Sequence, residues 1–453
     1  MTQTDTSDAL HAAGLHWGRG EFTLPETTAL RTRLARSNAA SIIATLQLLA
    51  ERGDAATREA ALAADAQARA LSSSARESLL THPTTCYGMK RLVDVVADSE
   101  RRGVPTAAQD EIERHCMRLL RGAALAGGAS VSWRSRGPCV LPGVGLVVAA
   151  PVGTMVQIDC DGTRLVGRVG SKRCLEAGLV SSVGPVRMAL GTDTWVLPSF
   201  SIAGTRLHID VHDPAFVEGW IPNADFSSIG VDLARAEDLE TWRGALEEAS
   251  RLMERVLPAT ASMLGWVVRS FVPVVSRDGS ISCSMSDAML PGAIMSTIDG
   301  APVLAESLAH EFRHNLLHQL ELAYPIFEPG SPSEARFYSP WRTDPRPLCG
   351  ILHALFVFID VCAIHAGVRA QRLGDAHDQH DSAVRLTANM RRIRIALEEF
   401  RRHAQLTAFG CGFVQGIEYA CDAFEPALTA LPTEAVHQAE QEVAQHRARW
   451  RPA

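Results

Sequence analysis

The chain has 453 residues, 46% of them apolar and 21% charged, with a formal net charge of −7. That composition excludes a disordered chain, and the acidic balance argues against a general nucleic-acid binder, which is usually basic. At roughly 150 residues per domain the length allows several domains.

The ten cysteines are scattered without a CxxC pair, and MTQTDTSDAL has no charged-then-apolar leader. A cytoplasmic protein with reduced thiols is the simplest expectation. Leu348 to Val368 is the nearest thing to a membrane span, but it contains His353, Asp360 and His365, each costly in lipid. It reads as a buried helix, and no membrane partner is expected.

Residues 27–126 read as helices. Leu30, Leu34, Ile42, Ile43, Leu46 and Leu49 recur at three-to-four spacing, and MKRLVDVVADSERRG and AAQDEIERHCMRLLRGAAL continue the pattern. After Gly127-Gly128 the chain breaks into short apolar runs cut by Gly, Pro and Asp: GLVVAAP, TMVQIDCDGTRLVGRVG, TWVLPS and TRLHIDVHD. These are strand and turn signals. Helical periodicity returns over 238–257. WVVRSFVPVV and SISCSMS then read as strands around a turn at Arg277-Asp278-Gly279.

PVLAESLAHEFRHNLLHQLELA follows, a helix with Pro302 near its first turn. A loop, EPGSPSEARFYSPWRTDPRPL, separates it from the apolar helix CGILHALFVFIDVCAIHAG. AHDQHDS (376–382) reads as a solvated loop, 381–406 as a helix, and a helix pair closes the chain. The fold class expected is α+β: mostly helical, with a small central β-rich unit and an HExxH helix near short strands. The expected organisation is an N-terminal helical region (1–129), a β-rich unit (130–225), a catalytic region (226–370) and a C-terminal helical region (371–453).

His310-Glu311-Phe312-Arg313-His314 carries the chemistry. Residues four apart share a helix face, so His310 and His314 can present two imidazoles to one metal. Glu311 beside them can act on a metal-bound water or orient a ligand. A bare HExxH also arises by chance, but its place inside a credible helix after two strand-like runs favours a metal. The extended HExxHxxGxxH motif is excluded, because Leu317 and Leu320 stand where it needs Gly and His.

The third ligand decides the chemistry. His318 keeps the four-residue spacing, yet a helix rises about 1.5 Å per residue, which puts it roughly 12 Å from His310. It reads as a polar residue further along the face. Glu334 has a spacing used by some zinc peptidases but lies in a Pro/Gly/Ser loop. His353, in an otherwise apolar helix, is the better candidate. Asp360, two turns on, can orient His353 or replace it as a carboxylate ligand, and Glu321 is a further carboxylate alternative.

Between the two helices, Phe337-Tyr338-Ser339-Pro340-Trp341-Arg342-Thr343-Asp344-Pro345-Arg346-Pro347 forms a stiff segment rich in aromatic residues, prolines and arginines. Its arginines can fork onto a carboxylate or pair locally with Asp344. Arg391, Arg392, Arg394, Arg401 and Arg402 can meet an acidic peptide or form a solvated face.

HEFRHNLLHQL followed by FYSPWRTDPRPLCGILHALFVF resembles the HExxH-motif peptide-modifying proteins of ribosomal peptide natural product pathways, some of which are 2-oxoglutarate-dependent peptide β-hydroxylases. The resemblance covers about 280–370. It implies an iron(II) centre held by His310, His314 and, by position, His353. 2-Oxoglutarate and O2 would take the open positions, with Arg342 or Arg346 anchoring the distal carboxylate. The substrate would be a ribosomally synthesised precursor peptide hydroxylated on a side-chain carbon, Cβ by the resemblance. Tyr338 and Trp341 are the aromatic candidates for holding it. A strand edge in the β-rich unit can pair with such a peptide. Two alternatives stand: a zinc peptidase with Glu311 as general base, and a non-catalytic peptide-binding scaffold whose histidines close a structural site.

Overall fold

A computed structural model describes residues 3–21, 24–142, 144–160, 164–178, 189–190, 194–197, 199–216, 231–235, 238–277, 279, 282–298, 300–332 and 335–450. The protein is an α+β chain in which helix predominates. It divides into two compact units. One comprises Met1–Thr27, Glu248–Leu264 and Gly300–Ala453; the other comprises Thr28–Glu247 and Gly265–Asp299.

The second unit begins with helices α2 (Leu24–Arg52), α3 (Ala55–Ala70), α4 (Ser73–Leu80), α5 (Pro83–Arg102), α6 (Gln109–Ile112) and α7 (Arg118–Ala126), the last preceded by a π-helical turn at Glu113–Met117. Leu30, Leu34, Ile42, Leu46 and Leu49 are buried, as their spacing requires. Three sheets follow among the described residues. The five-stranded antiparallel sheet, ordered β1-β4-β5-β6-β7, joins Val131–Arg134, Met155–Cys160, Arg164–Val169, Lys172–Gly178 and Ala189–Leu190. In β4, Val156 and Ile158 point inward while Met155 and Gln157 face solvent, the alternation of a half-buried strand. Trp133, Val156 and Ile158 share one apolar cluster with Leu49, Ile112 and Leu125 of the helices.

A three-stranded sheet pairs β2 (Cys139–Leu141), β3 (Leu146–Val148) and β8 (Thr194–Val196). The third sheet contains β9 (Ser199–Ile202), β10 (Thr205–Ile209), β11 (Val231–Leu233), β12 (Ser270–Ser276), β13 (Ser284–Met285) and β14 (Ala293–Ser296). Strands β10, β12 and β14 run parallel, so β-structure recurs well beyond residue 225. The run WVVRSFVPVV is only partly strand. Its first two residues finish a helix, α9 (Pro258–Val267), and β12 starts at Ser270. A short apolar run fits a buried helix end as well as a strand. Inside this unit Arg118 makes a two-pronged pair with Asp213, at 2.5 and 3.0 Å, and both side chains are buried.

The first unit is helical. α8 (Leu239–Val256) enters it midway. The HExxH segment lies in α10 (Ala301–Ala323), and His353 lies in α11 (Leu348–Ala370). Helices α12 (Ala376–His403), α13 (Ala408–Asp422), α14 (Glu425–Thr429) and α15 (Thr433–Arg449) complete it. α1 (Gln3–Arg19) crosses α13 at very close range. A Cβ at Gly18 would stand 2.0 Å from the Phe413 carbonyl oxygen, and one at Gly412 would stand 2.0 Å from that of His11.

The stretch 376–382 is not a loop. It is the first two turns of α12, and a capping box explains the difference. The Asp375 carboxylate accepts from the backbone N–H of His377 and Asp378, while the Asp378 carboxylate accepts from that of Asp375. Its polar residues reflect a solvated helix start.

α11 is the one helix among the described residues that is long and apolar enough to cross a membrane, and it is mostly buried in the fold. α10 packs against it through an ion pair. Arg313, within the HExxH itself, donates to Asp360 from Nε at 2.8 Å and from Nη2 at 2.6 Å. The Thr260 hydroxyl donates to the same carboxylate at 2.9 Å, and the Phe356 ring lies under the guanidinium at 4.5 Å. Both charged side chains are only 3% exposed. Removing one partner of such a pair strands a buried charge, at a cost of about 3–5 kcal/mol. Asp360→Ala is therefore expected to lower unfolding stability by that amount in urea titrations. A loss under about 1 kcal/mol would contradict this role for the pair.

Candidate metal centre

The local sequence explains the helix that carries the site. α10 starts after Gly300, whose φ is +89°, and Pro302 sits in the first turn, where its missing N–H costs nothing. No proline or glycine interrupts the next 21 residues. His310, His314 and His318 therefore occupy successive turns of one face, with ring centroids 4.9 Å and then 6.4 Å apart.

α11 runs antiparallel to α10: His353 faces His314 and His318, Phe358 faces His310, and His365 faces Glu306. The structure thus brings His353 to the HExxH helix. Its Nδ1 lies 2.8 Å from Nδ1 of His314, and the two rings stack at 5.1 Å. With a proton between them these nitrogens make a hydrogen bond; with a cation between them they are neighbouring ligands. Two imidazole nitrogens bound at about 2.1 Å stand roughly 3.0 Å apart at right angles and roughly 3.4 Å apart in a tetrahedron. The observed 2.8 Å is closer to the right-angled value than to the tetrahedral one.

Electrostatics favours the same use. Burial, with His310, His353 and His318 as neighbours, holds the His314 imidazole well below the usual histidine range. It is neutral at physiological pH and keeps a lone pair for a metal.

Asp360 does not fill either role expected of it. Its carboxylate is taken by Arg313 and Thr260, two turns along α11 from His353. A seven-residue separation puts two residues on nearly the same face, but α10 presents a buried arginine to Asp360 and imidazoles to His353. Glu321 faces His353 instead, with Oε2 3.3 Å from His353 Nε2. His318 is also part of the cluster rather than a bystander. Its ring lies 4.6 Å from that of His353, and its Nδ1 is 3.8 Å from Glu321 Oε2. One donor atom from each of His318, Glu321 and His353 lies within 4.8 Å of the others. Burial pushes the Glu321 carboxyl up, but hydrogen bonds from His318 and His353 outweigh it and bring it down to about 2. The sequence signal for these two residues is the continued spacing, H-x3-H-x3-H-x2-E. Their relevance depends on the register of α11, which no spacing on α10 reveals.

Glu311 is buried on α10. Glu334 lies outside the described residues. The proline-braced loop is closed on itself by paired backbone hydrogen bonds between Phe337 and Arg346, at 2.8 and 2.9 Å. Trp341 stacks on Phe358 at 4.8 Å, and Phe358 meets the His310 ring edge-on at 5.2 Å. The Trp341 indole N–H is shielded from solvent and makes no hydrogen bond among the described residues. Tyr338 turns elsewhere: its hydroxyl is 3.2 Å from His446 Nδ1 and its ring meets Trp450 edge-on. Arg342 and Arg346 both pair with Asp344, at 3.3 and 3.0 Å, and Arg346 is the less exposed, 36% against 61%. The arginines of α12 are largely paired with glutamates: Arg391 with Glu440, Arg394 with Glu425, Arg401 with Glu418 and Arg402 with Glu399.

No family model matches this chain, and no curated protein matches it. The case for a metal centre therefore rests on these side chains. His314→Ala and His353→Ala are each expected to weaken Co(II) or Zn(II) binding by at least about 100-fold in calorimetric titrations, with the far-ultraviolet circular dichroism unchanged. Parent-like affinity in either variant would contradict the pairing of these two imidazoles across the helices.

Proposed function

We propose that this protein is a mononuclear non-haem iron(II) enzyme that uses 2-oxoglutarate and O2 to hydroxylate a side-chain carbon, Cβ, of a ribosomally synthesised precursor peptide in the cytoplasm. The observation that carries the metal part is the 2.8 Å approach of His314 and His353 at right-angle ligand spacing. The peptide and 2-oxoglutarate rest on the likeness of HEFRHNLLHQL and YSPWRTDPRP to the peptide β-hydroxylases.

His310, His314 and His353 would hold the ion. Bound iron(II) would supply activation of dioxygen coupled to decarboxylation of the 2-oxo acid to succinate. The chain's own residues have the other tasks. Trp341 and Phe358 wall one side of His310, and the indole N–H offers a hydrogen bond to an oxygen of a bound ligand. Arg346 is the favoured anchor for the distal carboxylate of 2-oxoglutarate. Its backbone is fixed by the Phe337 pairing, and it stands two residues before α11. A carboxylate arriving there exchanges with Asp344 as the guanidinium's partner. Arg342, more exposed, is the lesser candidate. Glu311 need not activate water in this chemistry, so Glu311→Gln is expected to be milder than loss of a ligand.

Anaerobic reconstitution with iron(II), followed by 2-oxoglutarate, oxygen and a candidate precursor peptide, tests the reading. Succinate formation and a peptide heavier by one oxygen atom are expected. Zinc-dependent peptide cleavage that is lost in Glu311→Gln would replace the oxygenase with a peptidase, and a metal without turnover of either kind would favour a scaffold. Arg346→Ala is expected to weaken 2-oxoglutarate by at least about tenfold, the loss of one charge-assisted hydrogen bond. Parent-like binding in both Arg346→Ala and Arg342→Ala would remove this loop as the anchor.

A further inference from the structure

We infer that Glu321 is the positioning carboxylate of the metal centre: it accepts the Nε2–H of His353 and so turns Nδ1 toward His314 and the ion between them. The inference rests on the metal reading above, and it depends on neither iron nor 2-oxoglutarate.

An imidazole can offer a metal only the nitrogen that carries no proton. The two nitrogens of His353 face different neighbours. Nε2 faces Oε2 of Glu321 at 3.3 Å, and Nδ1 faces Nδ1 of His314 at 2.8 Å. An ionised carboxylate only accepts hydrogen bonds, so Glu321 keeps the proton on Nε2 and leaves the Nδ1 lone pair on the HExxH side. Of the other carboxylates on these two helices, Asp360 is committed to Arg313 and Thr260. Glu306, further along α10, faces His365 and Arg385. Glu321 is thus the acid placed for His353, and it stands three residues after His318, which flanks it on the same face.

A competing arrangement places the ion among His318, Glu321 and His353 themselves. It would require His353 to present Nε2 and to surrender its hydrogen bond. The closest approach favours the first arrangement: the Nδ1 pair stands 2.8 Å apart, whereas the separations in the competing set are 3.3 Å for His353 to Glu321 and 3.8 Å for His318 to Glu321.

Anaerobic titration with Co(II), whose visible bands report the number and kind of ligands, separates the two. The full chain is compared with Glu321→Ala, Glu321→Gln and His318→Asn. Glu321→Ala is expected to weaken Co(II) by about 10–100-fold, the usual effect of losing such a partner. Glu321→Gln, which retains an acceptor oxygen, is expected to fall between it and the parent. All three should show the parent's bands at saturation. Parent-like affinity in Glu321→Ala would overturn the inference, and so would altered bands at saturation, which would make Glu321 a ligand. Should Glu321→Ala not fold, the Gln variant carries the same two readouts. Failure of the metal reading itself looks different: the parent would bind no Co(II), or His314→Ala would bind it normally.

Discussion

The buried pair of Arg313 and Asp360 sets the register of the two helices on which the site is built. Arg313 is one of the two unspecified positions of the HExxH pattern, so the residues that present imidazoles and the residue that locks the helix alternate within five positions. Its guanidinium is held by two hydrogen bonds and a ring face. A buried ion pair adds little net stability, but breaking or sliding it is costly. α11 is apolar along most of its length, and such a surface alone specifies register weakly. A single charged lock removes that freedom and sets His353 level with His314 and His318.

Once register is fixed, the opposed faces carry a polar stripe through an apolar interface: Glu306, His310, His314, His318 and Glu321 on one helix, His353 and His365 on the other. Burial disfavours protonation in the middle of the stripe, at His314, and carboxylates stand at its ends, Glu306 beside His365 and Glu321 beside His353. Lone pairs gather at the centre. This is the electrostatic condition for a cation, produced by backbone spacing and one salt bridge.

Much of this was legible in the sequence and some was not. The helical face of His310 and His314 follows from four-residue spacing, and the N-terminal helices follow from Leu30, Leu34, Ile42, Leu46 and Leu49. His353 stood out as an imidazole in an apolar helix, although whether it met the HExxH depended on the approach of α11. Asp360 shows the limit of such reasoning. Its seven-residue offset from His353 suggested a shared role, but the partner presented by α10 decides what a buried carboxylate does. From α10 alone His318 reads as a polar residue further along the face; the approach of α11 brings its ring 4.6 Å from that of His353. The solvated appearance of AHDQHDS concealed a capped helix start because capping residues and loop residues are the same types.

A structure of the iron(II)-loaded protein, prepared without oxygen and with the ion located by its anomalous scattering, tests the metal centre most directly. The ion is predicted to lie between the helices, bonded at about 2.1 Å to His310, His314 and Nδ1 of His353, with Glu321 hydrogen-bonded to Nε2 and not to the metal. An ion bound by His318, Glu321 and Nε2 of His353, with His310 and His314 unliganded, would contradict it.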